Sequence, residues 1–218
     1  QFFKDKISDV YKNTLLLLVC TGLADLYRNI CNYEDCRDIL YKASKLSEGS
    51  TSLLLPSTAQ EGSDEANEAI LAKAEYQSCQ AAYHIHMGDY SAAEDNYNAV
   101  LDDRRAVLGP DHPKVASSLA HLGRLCMLKG DYKKASRLIG ESLVMRESLF
   151  VDAHPATASS MYMKACLMQE LGQYKEAGSL MAKSLSIRRV CLPAKHPSIS
   201  ESLCGNGNLT REMGYPSQ

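Results

Sequence analysis

Three histidines raise a chemical question before anything else in the chain. His112 stands in GPDHPKVA, His154 in VDAHPATA and His196 in PAKHPSIS; each is followed by proline, and each lies 42 residues from the next. An imidazole beside acidic or basic neighbours has the makings of a general base or a metal ligand. But copies one period apart sit on successive structural units, too far separated to share a metal at bond lengths of about 2 Å. The plainer role is an N-cap, in which the ring serves the first turn of a helix opened by Pro113, Pro155 or Pro197.

The other reactive constellations are weaker. His84 and His86 in AYHIHMG are two apart, which turns them to different faces of a helix, whereas a shared metal needs a spacing of three or four. His121 precedes Cys126, but a Cys–His nucleophile also requires an orienting third group and an oxyanion site. Gly205-Asn206-Gly207-Asn208 lacks the Lys-Ser/Thr continuation of a phosphate-binding loop. The eight cysteines (Cys20, Cys31, Cys36, Cys79, Cys126, Cys166, Cys191 and Cys204) include no CxxC and no cluster at zinc spacing. They read as reduced, mostly buried thiols of an intracellular protein. No catalytic residue, no metal site and no cofactor is expected, and the chain is not read as an enzyme.

The elements that hold these residues follow from the period itself. Gly-x-Tyr recurs at Gly88–Tyr90, Gly130–Tyr132 and Gly172–Tyr174, and Gly214 continues the column. Ala81, Gly123, Ala165 and Gly207 form a small-residue column; Ala93, Ala135 and Ala177 form another; Arg104, Arg146 and Arg188 form a third. Within one unit, Pro113 opens a helix whose apolar or small residues are Val115, Ala116, Leu119, Leu122, Gly123, Leu125 and Cys126. Gly130 ends it, Asp131 caps a second helix, and Tyr132, Ala135, Leu138, Ile139, Leu143 and Met145 make that helix's apolar stripe. Small residues on both helices let the backbones approach, and a single pair cannot bury its own apolar face, so the pairs must stack. The arginine column is either a basic ridge or, more in keeping with a packed array, a set of salt bridges to acids on the adjacent unit.

The small residue, the aromatic at the helix turn and the Ala-x-x-x-large pattern that follows resemble the tetratricopeptide repeat. The 42-residue period and Leu108-Gly-x-Asp-His-Pro-x-Val-Ala116, with Arg146-Glu147 after Leu143-Val144-Met145, resemble its kinesin light chain subtype. The resemblance implies an all-α, right-handed α-solenoid, a superhelix of antiparallel helix pairs. Residues 66–218 carry the regular repeats, the last one supplying only a first helix, which leaves Leu203, Leu209 and Met213 without a second helix to cover them and suggests a fragment of a longer array. Residues 1–46 fit the same template as a diverged first repeat when Tyr33 is aligned with Tyr132, placing Ala24 at the Gly123 position and Cys36 at that of Ala135. Residues 47–65, SEGSTSLLLPSTAQEGSDE, read as a long polar loop.

Composition narrows the partners. Lys plus Arg is 24 against 26 Asp plus Glu, with the signs interleaved, so nucleic acid is not expected. The longest apolar run, Leu15 to Cys20, is far short of the ~20 residues that span a bilayer, so no membrane insertion is expected.

In the resembled fold the first helix of each pair lines the concave face, which directs attention to Asp25, Arg28, Glu75, His86, His121, Arg124, Tyr162, Gln169, Asn208 and Arg211 as partner-binding residues. Kinesin light chain repeats carry an Asn pair that clamps a peptide backbone; this chain has Ala120-His121, Tyr162-Met163 and Cys204-Gly205 instead. The implied function is a non-catalytic protein–protein interaction scaffold or adaptor, cytoplasmic, within a larger complex, in a cargo-adaptor, cytoskeletal or ciliary setting. The alternative is a regulatory or architectural repeat segment of a protein whose catalytic domain lies outside this chain.

Overall fold

The computed structural model describes residues 2–54, 64–150 and 152–214, with side chains from residue 12 onward except 46–54 and 65. Among the described residues there are nine helices and no strand. They are α1 (Phe2–Asn29), α2 (Tyr33–Leu54), α3 (Asp64–Met87), α4 (Tyr90–Leu108), α5 (Pro113–Leu128), α6 (Tyr132–Leu149), α7 (Pro155–Glu170), α8 (Tyr174–Cys191) and α9 (Pro197–Glu212). The tightest packing joins α1 to α2, α3 to α4, α5 to α6 and α7 to α8, and α9 packs on α8. The chain divides into two compact units, Gln1–Pro110 with α1 to α4 and Asp111–Gln218 with α5 to α9.

Each hairpin turn is built by the same few residues. Gly88, Gly130 and Gly172 carry φ of 80°, 77° and 74°, the left-handed region that a Cβ disfavours. In the first hairpin this position is Cys31, at φ 59°, a non-glycine that holds the same turn at a cost of about 1 kcal/mol. The next helix is then capped by a side chain: Asp89 Oδ1 accepts from the Ala92 amide at 3.1 Å and Asp131 Oδ1 from that of Lys134 at 3.0 Å. Gln173 stands at the same place before α8 without a side-chain cap bond.

The three His-Pro histidines are N-caps. Nδ1 of His112 accepts from the Lys114 amide at 3.1 Å, that of His154 from Ala156 at 3.1 Å, and that of His196 from Ser198 at 3.2 Å. Proline follows at the first helical position, where its missing N–H would have gone unbonded anyway. His154 also stacks flat on Phe150, ring centroids 3.8 Å apart and 5° from parallel.

Close helix approach explains the small-residue columns. A Cβ at Gly123 would fall 2.6 Å from Ile139 Cγ1 and 3.3 Å from the Ile139 backbone nitrogen, so only glycine lets α5 and α6 meet at this distance. Ala135, Ala165 and Ala177 are fully buried, as are Ala24 and Cys36 between α1 and α2. The first unit's core continues through Leu17, Leu40, Ala43, Ala72, Tyr76 and Cys79.

Three sequence-based expectations change. Of the polar loop expected over 47–65, residues 47–54 belong to α2 and residues 64 and 65 to α3; residues 55–63 lie outside the described residues. Gly49 costs a helix only about 1 kcal/mol, so it does not stop α2. Of the cysteines only Cys36, Cys79 and Cys126 are buried, whereas Cys31 and Cys204 are exposed; burial pushes the Cys36 and Cys79 thiols up. Leu203 and Met213 are open to solvent as expected, but Leu209 is buried against Ala165, Ala177 and Met181.

Candidate protein-interaction face

The arginine column is the frame on which the second unit's face is mounted, and it is not a basic ridge. Arg146 is buried: Nη1 donates to the Ala156 carbonyl and to Ser160 Oγ, both at 2.8 Å, and Nη2 to Ser117 Oγ at 3.0 Å. Arg188 repeats this one period later, with Nη1 donating to the Ser198 carbonyl at 2.6 Å, Ser202 Oγ at 2.7 Å and Glu201 at 3.0 Å, and Nη2 to Ser159 Oγ at 3.5 Å. Each guanidinium therefore joins the first helix of its own hairpin to the first turn of the next. In the first unit Arg104 pairs with Glu75 of its own hairpin at 3.0 Å. Arg188 meets the expected carboxylate on an adjacent hairpin, Glu201, whereas Arg146 bonds hydroxyl and carbonyl oxygens, and burial lowers its pKa.

These braces depend on serines that the sequence reading did not single out. Ser142 donates to the Ala116 carbonyl at 2.8 Å and Ser184 to that of Ala158 at 2.7 Å, and Ser142 also touches Ser160 Oγ at 3.1 Å. The signal was present: Ser117 and Ser159, Ser118, Ser160 and Ser202, and Ser142 and Ser184 recur at the same 42-residue period as the arginines. Polar residues repeating at core positions mark a buried network that must be fully bonded.

With the frame in place, α5 lies beside α7 and α7 beside α9. Arg124 on α5 and Asn208 and Arg211 on α9 are exposed, while His121 on α5 and Tyr162 and Gln169 on α7 are half-buried. Asn208 Oδ1 accepts a weak bond from Arg211 at 3.4 Å. The Tyr162 ring lies under the Arg188 guanidinium at 4.9 Å, and its hydroxyl donates to the Glu201 carbonyl at 3.3 Å. Gly205 makes room for that ring, since a Cβ there would come within 2.8 Å of the phenol oxygen and 2.9 Å of the ring carbon Cε2. The missing Asn pair thereby acquires a physical reason: Ala120 is buried, and Tyr162 and Gly205 pack against each other.

In the first unit the nominated residues bond largely to the unit itself. Asp25 holds Arg28 at 2.8 Å, Glu75 holds Arg104, and His86 Nδ1 lies 3.3 Å from the Tyr33 hydroxyl with ring centroids 5.3 Å apart. The ten nominated residues are thus split, four to one unit and six to the other.

The chemistry this allows is recognition. Exposed guanidinium and amide groups donate to carboxylates and to the carbonyls of an extended chain. Burial pushes the Tyr162 hydroxyl and the Cys166 thiol up, so both stay protonated at neutral pH and Cys166 is a poor nucleophile. Among the described residues no three His, Cys, Asp or Glu side chains converge as metal ligands, and no helix is long and apolar enough to cross a membrane.

Charge is less evenly spread than the sequence suggested. The first unit carries ten Lys plus Arg against seventeen Asp plus Glu, a formal −7; the second carries fourteen against nine, a formal +5.

Comparison with known proteins agrees with this architecture. The tetratricopeptide repeat family profile matches residues 72–148 and 121–189, together more than half of the chain. No curated protein matches in sequence. Among solved structures the chain is similar to a Podosopora anserina putative kinesin light chain with nearly identical TPR-like repeats (18% identity, 90% of this chain and 86% of that one, TM-score 0.61). It is also similar to BtubC (BKLC) of P. vanneervenii (14% identity, 97% and 81%, TM-score 0.69). A third likeness is to a signal transduction ATPase with a tetratricopeptide repeat sensor from Pyrococcus horikoshii (16% identity, 91% of this chain but 28% of that one, TM-score 0.65). At these identities the likeness is one of fold; the profile match places the chain, whose repeats recur every 42 residues, in the tetratricopeptide repeat family.

Proposed function

We propose that the chain is a non-catalytic scaffold that holds an extended, acidic segment of a partner protein along the first-helix face of its second unit. The observation that carries this is the exposure of Arg124, Asn208 and Arg211 on α5 and α9, with Gln169 on α7 between them, in a unit of formal charge +5. Guanidinium groups bind carboxylates, and the amides of Gln169 and Asn208 serve a peptide backbone. The buried Arg–Ser braces hold the three helices in register before a partner arrives, so little ordering cost attends binding. The finer setting we propose is cytoplasmic, in a larger complex concerned with cargo, the cytoskeleton or cilia; the fold shared with kinesin light chain-like proteins supports it.

The test is affinity capture or proximity labelling with Arg124→Glu plus Arg211→Glu against the unaltered chain. Both residues are exposed, so the helical circular dichroism is expected to be unchanged while partner recovery falls roughly tenfold or more, as for charge reversal at a complementary surface. Unchanged recovery by the folded double variant rejects the face. A second reading, a regulatory array serving a catalytic domain elsewhere in a longer protein, is favoured by the likeness to the sensor-bearing ATPase; NTPase motifs in adjoining sequence would decide for it.

A further inference from the structure

α1 is apolar on two opposite faces. One face enters the first unit's core through Leu17, Thr21 and Ala24. The other carries Leu16, Val19, Leu23 and Leu26 and is continued by Ile30, one residue past the helix end, with exposures from 41% to 61%. Their spacing is three, four, three, four, the alternation that keeps a seam facing a partner helix in a coiled coil. Leu15 and Leu18, also exposed, flank it. The seven residues leave roughly 600 Å² of apolar surface open, the upper end for one patch on a monomer. An apolar patch of this size marks a surface that a partner covers.

We propose that this seam is where two copies of the chain pair, α1 against α1, in a symmetric dimer. The repeat register says what does not fit there. Aligning Tyr33 with Tyr174 puts Val19 at the place of Ser160 and Leu26 at that of Leu167. In α7 that side receives α6, whose Arg146 bonds Ser160 and the Ala156 carbonyl. A second helix of the same kind laid on α1 would bring its arginine against Val19, where no hydroxyl awaits it, and a buried cation short of partners is costly. The occupant must instead be apolar at three–four spacing and free of charge along its contact line. Among the residues whose side chains are described, those of α1 alone present such a line; Val144 and Val190 on α6 and α8 are exposed singly. A seam that matches itself gives a closed, two-fold contact. Doubled across a pair, the patch exceeds the ~1,000 Å² that a specific interface needs.

Sedimentation equilibrium of the 218-residue chain tests this, over roughly 1–100 μM, the range of a modest dimer. The expected result is a monomer–dimer equilibrium that shifts toward dimer as salt is added, because two units of formal charge −7 repel until screened. Val19→Glu plus Leu26→Glu, at exposed positions, should weaken pairing at least ~100-fold with helical content intact. Val144→Glu plus Val190→Glu should leave it unchanged. A photoreactive benzophenone side chain placed at Leu23, the middle of the seam, should join α1 of one copy to α1 of the other. A wild-type monomer at the highest concentration, pairing indifferent to the glutamates, or a cross-link from Leu23 to residues 47–63 or to the second unit would each overturn the proposal.

Discussion

Replacing Arg146 separates two reasons for a buried arginine. Its three hydrogen bonds, to Ala156, Ser160 and Ser117, are charge-assisted, at about 1.5–3 kcal/mol each, or roughly 5–9 kcal/mol together. Against them stands the desolvation of a guanidinium with no carboxylate among those partners, several kcal/mol, which is also what lowers its pKa. The helix end it meets is the N-terminus of α7, whose dipole repels a cation. The two sides nearly cancel. Removing the charge strands little, because Ser160 keeps its contact with Ser142, and Ser117 donates to the Pro113 carbonyl at 3.1 Å.

Arg146→Met, which retains most of the volume, should therefore lie within about 1.5 kcal/mol of wild type. Arg146→Ala should lose about 3–4 kcal/mol, the usual cost of the cavity left by a large buried side chain. Arg146→Lys should lose about 2–3 kcal/mol, because one ammonium on a flexible stem keeps the desolvation cost but cannot reach Ser117 and Ser160 together. Urea denaturation followed by helical circular dichroism, with midpoints compared at a common slope, ranks the three. If Met costs as much as Ala while Lys is harmless, the charge itself holds α6 to α7, and reasoning from shape and hydrogen bonds is refuted.

Two paired substitutions test the packing. Gly123→Ala should destabilise by about 1–3 kcal/mol, since its Cβ meets Ile139, whereas Gly140→Ala, with no neighbour within 4 Å, should stabilise by up to ~1 kcal/mol through helix propensity; thermal melts read both signs. His112→Ala should cost ~1 kcal/mol for the lost cap, and His154→Ala about 0.5–1.5 kcal/mol more for the Phe150 stack. Equal melting shifts for the two histidines would mean that the stack contributes nothing.

The hairpins were legible because their signals are local and repeated. Proline starts, glycine stops and small-residue columns each name one position per period, and His112, His154 and His196 locked the register. The first unit's seam was missed for the opposite reason. Leu15 to Cys20 contains enough leucine to pass for ordinary core, and only the packing of α1 distinguishes Leu17, 2% exposed, from Leu16, 50% exposed. The nominated recognition residues were chosen by helical position alone, which does not reveal that the Tyr162 ring is engaged by Arg188 and Gly205, or that Asp25 and Glu75 already hold arginines. Sequence order also concealed the opposite charges of the two units, because acids and bases alternate over short stretches while their totals diverge.

The fit of Tyr162 over Gly205 bears on how such an array can lengthen. Repeat proteins are usually pictured as growing by tandem duplication of one module. A second copy of residues 155–196 inserted after the first would set the duplicate of Met163 where Gly205 now stands, against a phenol ring that leaves no room for a Cβ. Neighbouring repeats in this chain are therefore complementary rather than interchangeable, and each new module would have to arrive already altered at the residue that meets the one before it.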